Sequence, residues 1–261
     1  MLALVAIGQQ LSILKQNKLI KVYLDLVLTP TFVYSQLKDY ESGEILLRER
    51  LDYERLSDPN SLLPKIKKIL QTINIDFYNV VEPKFVFDNN HYVFVPDSLY
   101  IKGKEKTFLK FNVRLENDDY ITTDSIEKLG IYNIYLPYVN INNYLIEKFK
   151  KLEFYHYNTV LINKIISVNN SDSCHCFIEN ADLKILIIEN GEIFYFNSFS
   201  YKTLDDILYY TLLAINDKSF KNKNIPLNIH AGKKIDEIKV KFNNFIKNIS
   251  VIKNDNFTLV L

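Results

Sequence analysis

Hydrophobic residues recur with a period of two in two well-separated trios of short runs. The first trio is Leu19 to Val27, Thr31 to Leu37 and Glu44 to Leu51, broken at Thr29-Pro30 and at Glu41-Ser42-Gly43. The second is Cys174 to Ile178, Leu183 to Ile188 and Glu192 to Phe199, broken at Asn180-Ala181 and at Glu189-Asn190-Gly191. A period of two marks strands, and Gly tolerates the positive φ that hairpin turns demand. Each trio therefore predicts a three-stranded antiparallel meander.

A helical stripe follows each trio. Leu62, Ile66, Ile69, Leu70 and Ile73 form the first, with Pro64 acceptable only in the opening turn. Leu204, Ile207, Leu208, Thr211, Leu212 and Ile215 form the second, and Thr203 with Asp206 makes an acidic capping box. A short apolar strand comes next in both cases, Phe77 to Val81 and Pro226 to His230. A strand reached through a helix is expected to lie parallel to its predecessor. Setting Gly43 on Gly191 (191 − 43 = 148) aligns Glu44-Ile45 with Glu192-Ile193, Tyr53 with Tyr201, Leu56 with Leu204 and Asp58 with Asp206. This reads as a duplicated βββαβ unit, although two hairpins converging on one turn chemistry would look alike.

Between the repeats the pattern predicts a strand pair, Lys84 to Phe87 with Tyr92 to Val95, and a helix from Ser98 to Phe111. Strands follow at Tyr120 to Thr123 and Ile131 to Leu136, then a helical stripe of Ile141, Tyr144, Leu145, Lys148 and Phe149. A strand Glu153 to His156 leads into a helix Asn158 to Val168. The polar joint Asn169 to Ser173 is the expected lobe boundary, giving lobe I as 1–168, with an insert at about 84–130, and lobe II as 169–261.

Composition narrows the function classes. The chain has 261 residues, 48% hydrophobic and 24% charged, which is globular rather than disordered. A net charge of +1 advertises neither nucleic acid nor an anionic surface as partner. Two cysteines, Cys174 and Cys176, fit a reducing compartment, and Met1 to Ile13 lacks the basic start of a signal sequence. With no run of about 18 apolar residues, no membrane span is expected, and the location read is cytoplasmic.

Phe194-Tyr195-Phe196-Asn197-Ser198-Phe199, then Tyr201-Lys202-Thr203 and Asp206-Ile207-Leu208-Tyr209-Tyr210, resemble the signature of an uncharacterised bacterial domain-of-unknown-function family. Phe94-Val95-Pro96-Asp97, Leu109-Lys110-Phe111-Asn112 and Phe154-Tyr155-His156 resemble further parts of it. The resemblance implies an α/β chain with the actin-like ATPase fold, two duplicated ribonuclease-H-like lobes flanking a cleft. Tyr144 to Ile165 is also similar to the lobe crossover of pilus-assembly ATPase-like proteins. The signature residues Asn197, Ser198, Phe199, Lys202 and Asp206 come with no assigned role.

The same resemblance implies where a nucleotide would bind. Actin-like ATPases hold Mg-ATP through an Asp-x-Gly hairpin in each lobe, where Gly lets backbone N–H groups approach the phosphates. The matching places are Asp25 to Thr29 and Glu179-Asn180, and neither contains Gly. A strand-turn-helix at Ile229-His230-Ala231-Gly232-Lys233 matches the adenosine turn, so Ala231 and Gly232 join Asp25, Thr29, Glu179 and Asn180 as candidates. Ordinary readings stand beside these: Asp25 as an exposed strand or turn residue, Gly232 as a plain strand-to-helix turn, Asn197 as a strand-end residue.

Cys174-His175-Cys176 invites a metal, but on a strand the thiols face one side and the imidazole the other. The expectation is therefore a catalytically degenerate scaffold that binds a protein partner and requires no cofactor. The alternative is an ATP/Mg-binding protein or phosphotransferase switch with a non-standard site. A metal-dependent nuclease opened by Asp25 is a third reading.

Overall fold

The computed structural model describes residues 19–56, 58–168, 171–216 and 226–253. They divide into two compact units, 1–86 with 138–154 and 87–137 with 155–261.

The first unit carries the meander β1 (Ile20–Leu28), β2 (Phe32–Asp39) and β3 (Ile45–Asp52), followed by helix α1 (Pro59–Thr72). Asp58 caps α1 by accepting the Asn60 N–H, and Pro64 lies in the second turn, inside the helix, not in the opening turn to which the sequence reading confined it. The buried stripe of α1, Leu62, Ile66, Ile69 and Leu70, packs on β2 and β3, as its spacing predicts. The expected strands Phe77 to Val81 and Lys84 to Phe87 are one strand, β4 (Tyr78–Phe87). It lies beside β1, so Lys84 to Phe87 does not pair with Tyr92 to Val95. The strand runs straight through the polar Glu82-Pro83-Lys84, and the chain turns only at Asp88.

In the second unit, β5 (Tyr92–Pro96) pairs instead with β7 (Ile131–Tyr135), which also pairs with β6 (Thr122–Ile126). The helix expected from Ser98 to Phe111 is reduced to α2 (Glu105–Leu109). Gly103, at φ +85, makes the turn Ile101–Lys104, and the Glu105 carboxylate accepts the Gly103 N–H and the Tyr100 hydroxyl. Those bonds hold the segment in a turn that a continuous helix would have to break. Helix α3 (Val139–Phe149) belongs to the first unit; β8 (Glu153–His156) and α4 (Tyr157–Val168) follow close to their expected places. Of the expected polar joint, 169–170 lies outside the described residues, and Ser173 already opens a strand.

The second meander is β9 (Ser173–Glu179), β10 (Asp182–Glu189) and β11 (Glu192–Ser200). Helix α5 (Leu204–Ile215), β12 (Leu227–Ala231), α6 (Ile235–Asn243) and β13 (Ile249–Lys253) complete the unit. Strand β12 runs parallel to β9 and to β13. Cys174, Cys176, Leu183, Ile185, Ile187 and Ile229 form one face, packed on Ile207, Leu208, Ile238 and Phe242 from the two helices.

The two sheets have the same order. One reads β3-β2-β1-β4-β8 and the other β11-β10-β9-β12-β13. In each, the third strand bulges three residues after the hairpin glycine, at Leu46 and at Phe194, which are 148 residues apart (194 − 46 = 148). Gly43 and Gly191 both adopt positive φ, +71 and +79. The amides of Tyr53 and Tyr201 each close the first hairpin, on Thr31 O and Ala181 O. Convergent turn chemistry alone does not reproduce strand order, bulge position and closing bond together; the unit is duplicated.

Candidate functional site

The first hairpin turn of the first unit is Thr29-Pro30-Thr31-Phe32. The Thr29 N–H donates to Phe32 O at 2.9 Å. Its hydroxyl oxygen accepts from the N–H of Thr31 at 3.2 Å and of Phe32 at 3.1 Å. Pro30 has no N–H, so every amide donor of the turn is consumed inside it. The Tyr53 hydroxyl closes the outside by donating to Thr29 O at 2.8 Å.

Asp25 is not in that turn. It lies inside β1, opposite Gln36, is only 9% exposed, and pairs with Lys38 at 2.8 Å. The expectation of an exposed or turn-located Asp25 is corrected: the run continues to Leu28, and a carboxylate inside the sheet requires a cation.

The remaining candidates belong to the second unit. Glu179 ends β9 opposite Asp182, and Asn180 lies in the tight β9–β10 turn itself at φ +45. Ala231 is fully buried at the end of β12, and exposed Gly232 leads toward α6. Thus Asp25 and Thr29 share one unit, and Glu179, Asn180, Ala231 and Gly232 share the other.

The signature residues acquire physical roles. The Asp206 carboxylate accepts the Lys202 and Thr203 N–H groups at 2.9 Å, and the Thr203 hydroxyl accepts the Asp206 N–H, completing a capping box on α5. Those bonds hold the Asp206 carboxyl below its ordinary range. Phe199 stacks on Tyr210, centroids 4.3 Å apart. The Asn197 side chain accepts the Ser198 N–H. Ser198 faces a buried ion pair, its hydroxyl 3.4 Å from the Lys184 ammonium.

That ion pair centres a polar cluster within the second unit. Lys184 Nζ lies 3.0 Å from Asp88 Oδ1, with both side chains about nine-tenths buried (8% and 10% exposed). The Tyr157 ring lies beneath the ammonium at 5.5 Å. Burial raises the Tyr92 hydroxyl above its ordinary pKa, with Lys184, Ser198, Asp88 and Asn158 as its polar neighbours. Nearby, His156 Nδ1 accepts the Asn158 N–H at 3.2 Å, while Nε2 donates to Asn89 O at 3.1 Å. The imidazole is therefore a fixed neutral tautomer that caps α4, and burial lowers its pKa to about 3. Asp124 accepts the His156 N–H and the Tyr135 hydroxyl, and burial raises its carboxyl. Charges cancel locally and the His156 lone pair is occupied, so this chemistry favours rigid positioning over proton transfer.

A second buried relay crosses β9 and β12. The Ser173 hydroxyl donates to Ser171 O and accepts from His175 Nε2 at 3.0 Å. His175 Nδ1 in turn accepts from His230 Nε2 at 3.1 Å. His230 Nδ1 ends the chain as an acceptor with no donor among the described residues. Burial lowers both imidazoles to about 4. Cys174 and Cys176 occupy the opposite face, as strand alternation requires. No group of three or more His, Cys, Asp or Glu suited to a metal occurs among the described residues.

Spacing did not reveal Lys184, Asp88 or Asn158 beforehand. One available signal was Lys184 itself, the single cation in the otherwise apolar core of β10.

Comparisons with known proteins agree with this architecture. A protein with actin-like ATPase fold and unknown function from Bacteroides thetaiotaomicron superposes with a TM-score of 0.75 at 15% identity, covering 93% of this chain and 96% of that one. The ethanolamine utilization protein EutJ from Carboxydothermus hydrogenoformans gives 0.54 at 8% identity, covering 92% and 87%. A structure of the PilM-PilN type IV pilus biogenesis complex gives 0.54 at 9% identity, covering 91% and 89%. The chain has the actin-like ATPase fold. A comparison with curated proteins found no match. The family model described as "Protein of unknown function (DUF3822)" matches residues 13–249, and the chain belongs to that family.

Proposed function

We propose that this chain is a catalytically degenerate actin-like scaffold that binds a protein partner. The observation that carries the reading is the self-satisfied turn Thr29 to Phe32. A phosphate-cradling hairpin must keep its amides free, and these are spent on the Thr29 hydroxyl and on Phe32 O. Losing one preorganised donor at a charge-stabilising site costs roughly 3–4 kcal/mol of barrier. The placement of Asp25 against Lys38 supports the same reading, because its carboxylate is already neutralised. Partner binding draws support from the PilM-PilN complex, a protein of this fold with a partner protein. We take the repeats as lobes of 1–168 and 169–261. The two free cysteines support a cytoplasmic setting, and among the described residues no helix is long and apolar enough to cross a membrane.

Gly232 favours a second reading, nucleotide binding through the exposed turn after β12. Thermal melting with Mg-ATP and Mg-ADP separates the two. A ligand at 100 times its Kd adds about 2.7 kcal/mol, a readily visible shift. The scaffold reading expects an unchanged melt and capture of a protein from the native cell by wild-type chain; a magnesium-dependent shift overturns it.

A further inference from the structure

Long edge strands offer unpaired backbone groups to other chains, and most edges here are blunted. Strands β8 and β13, and both edges of the three-stranded sheet, are only four or five residues long. The eight-residue edge β3 carries Arg48, Glu49, Arg50 and Asp52. Its duplicate β11 is a nine-residue edge with one charge, Glu192 at its start, and no proline. In an antiparallel ladder the N–H and C=O of one residue point to the same side, and the side alternates along the strand. The Tyr201 N–H reaches Ala181 O and the register is regular from Tyr195 to Ser200, so Tyr195, Asn197 and Phe199 face β10. Phe196, Ser198 and Ser200 therefore turn their backbone groups outward. The Ser198 N–H is held by Oδ1 of Asn197 at 2.8 Å, and the N–H groups of Phe196 and Ser200 have no partner among the described residues. Both faces of the strand are pinned, by Phe196 against Phe94 at 5.3 Å and by Phe199 stacked on Tyr210 at 4.3 Å. What remains for another molecule is the backbone edge.

We propose that β11 pairs antiparallel with β11 of a second copy of this chain, about a twofold axis at Ser198. That register sets Phe196 opposite Ser200 of the second copy and Ser198 opposite its own image, so all three outward residues exchange N–H···O bonds. Charge selects a second copy as the occupant, because a twofold contact sets every charge against its own image. The duplicate position of Ser198 is Arg50 (198 − 148 = 50), so the same pairing through β3 would oppose Arg50 with Arg50. Like charges directly opposite one another destabilise a sheet. Of the two duplicated edges, β11 is the one clear of that clash. Pairing about a twofold consumes both edges at once and closes, which keeps an aromatic strand from recruiting further chains. The contact is independent of the scaffold reading.

Sedimentation of the full chain over a range of about 100-fold in concentration tests the pairing, with amide hydrogen exchange measured at each end of the range. A dimer is expected at the high end, with the Phe196, Ser198 and Ser200 amides exchanging more slowly there than in dilute protein. Ser200→Pro removes one outward donor from each strand, a change that an edge tolerates. It should weaken the dimer about thirtyfold with the circular dichroism unchanged. Asn197→Ala releases the Ser198 N–H and should leave the dimer at least as tight. A chain that stays monomeric throughout overturns the proposal. So does a dimer whose β11 amides are unprotected, or whose Ser200→Pro variant associates like wild type, since the contact then lies elsewhere. Loss of the dimer in Asn197→Ala overturns it too, because side chains rather than backbone would then join the copies.

Discussion

Acidification is expected to unfold this protein through three buried imidazoles. His156 is held near a pKa of about 3, and His175 and His230 near about 4, each lowered mainly by burial. In the unfolded chain a histidine titrates near 6.5. The folded values are lower, so the unfolded state binds more protons as pH falls from about 6.5 toward 4. Stability is therefore complete above about pH 6.5 and is lost below it. Between pH 7 and 5 each group costs about 2 kcal/mol, so the three together cost about 6 kcal/mol, comparable to the whole stability of an ordinary domain. Urea unfolding followed by far-ultraviolet circular dichroism at several pH values measures this directly. The expected slope near pH 5 approaches uptake of three protons on unfolding. A midpoint unchanged between pH 7 and 5, or uptake of less than one proton, would refute the assignment of these imidazoles as buried and neutral.

Breaking the buried ion pair by Lys184→Met should cost roughly 3–5 kcal/mol, because Asp88 keeps its charge without that cation; adding Asp88→Leu should recover much of the loss in chemical denaturation. Thr203→Ala removes one half of the α5 capping box and should cost about 1 kcal/mol, a fall of roughly 2–4 °C in calorimetry. Gly191→Ala should destabilise by about 1 kcal/mol through its φ of +79 alone, since the space around it is open; a neutral result would show that the turn relaxes. Thr29→Ala should lower stability by about 1 kcal/mol without creating Mg-ATP binding, checked by calorimetric titration.

Strands and helices of the two repeats were legible because each buries one face, so Leu62, Ile66 and Ile69, or Cys174 and Cys176, fall on the period their element imposes. The capping box at Thr203 and Asp206 was legible for the same local reason. The middle segment was not. Ser98 to Phe111 has helical spacing, yet Gly103 and the Glu105 carboxylate fix a turn through bonds that periodicity does not encode. The site was legible only in outline. Asp25 falls inside the strand predicted over Leu19 to Val27, but its burial rests on a cross-strand partner, Lys38, that period two does not point to, and the role of Thr29 depends on its hydroxyl accepting from Thr31 and Phe32. Lys184 and Asp88 lie 96 positions apart along the chain, and no local pattern joins them.

The two meanders differ at one place. The second hairpin of the first repeat leaves six residues between the paired Lys38 and Ile45, whereas its counterpart leaves two between the paired Glu189 and Glu192. The bulge that follows nevertheless falls at the same position in both. The longer loop carries its own scaffolding, since the Asp39 carboxylate gathers the Glu41 and Ser42 amides. Duplication thus records a natural experiment in loop length, and an epitope or fluorophore genetically spliced beside Glu41 should leave both sheets assembled.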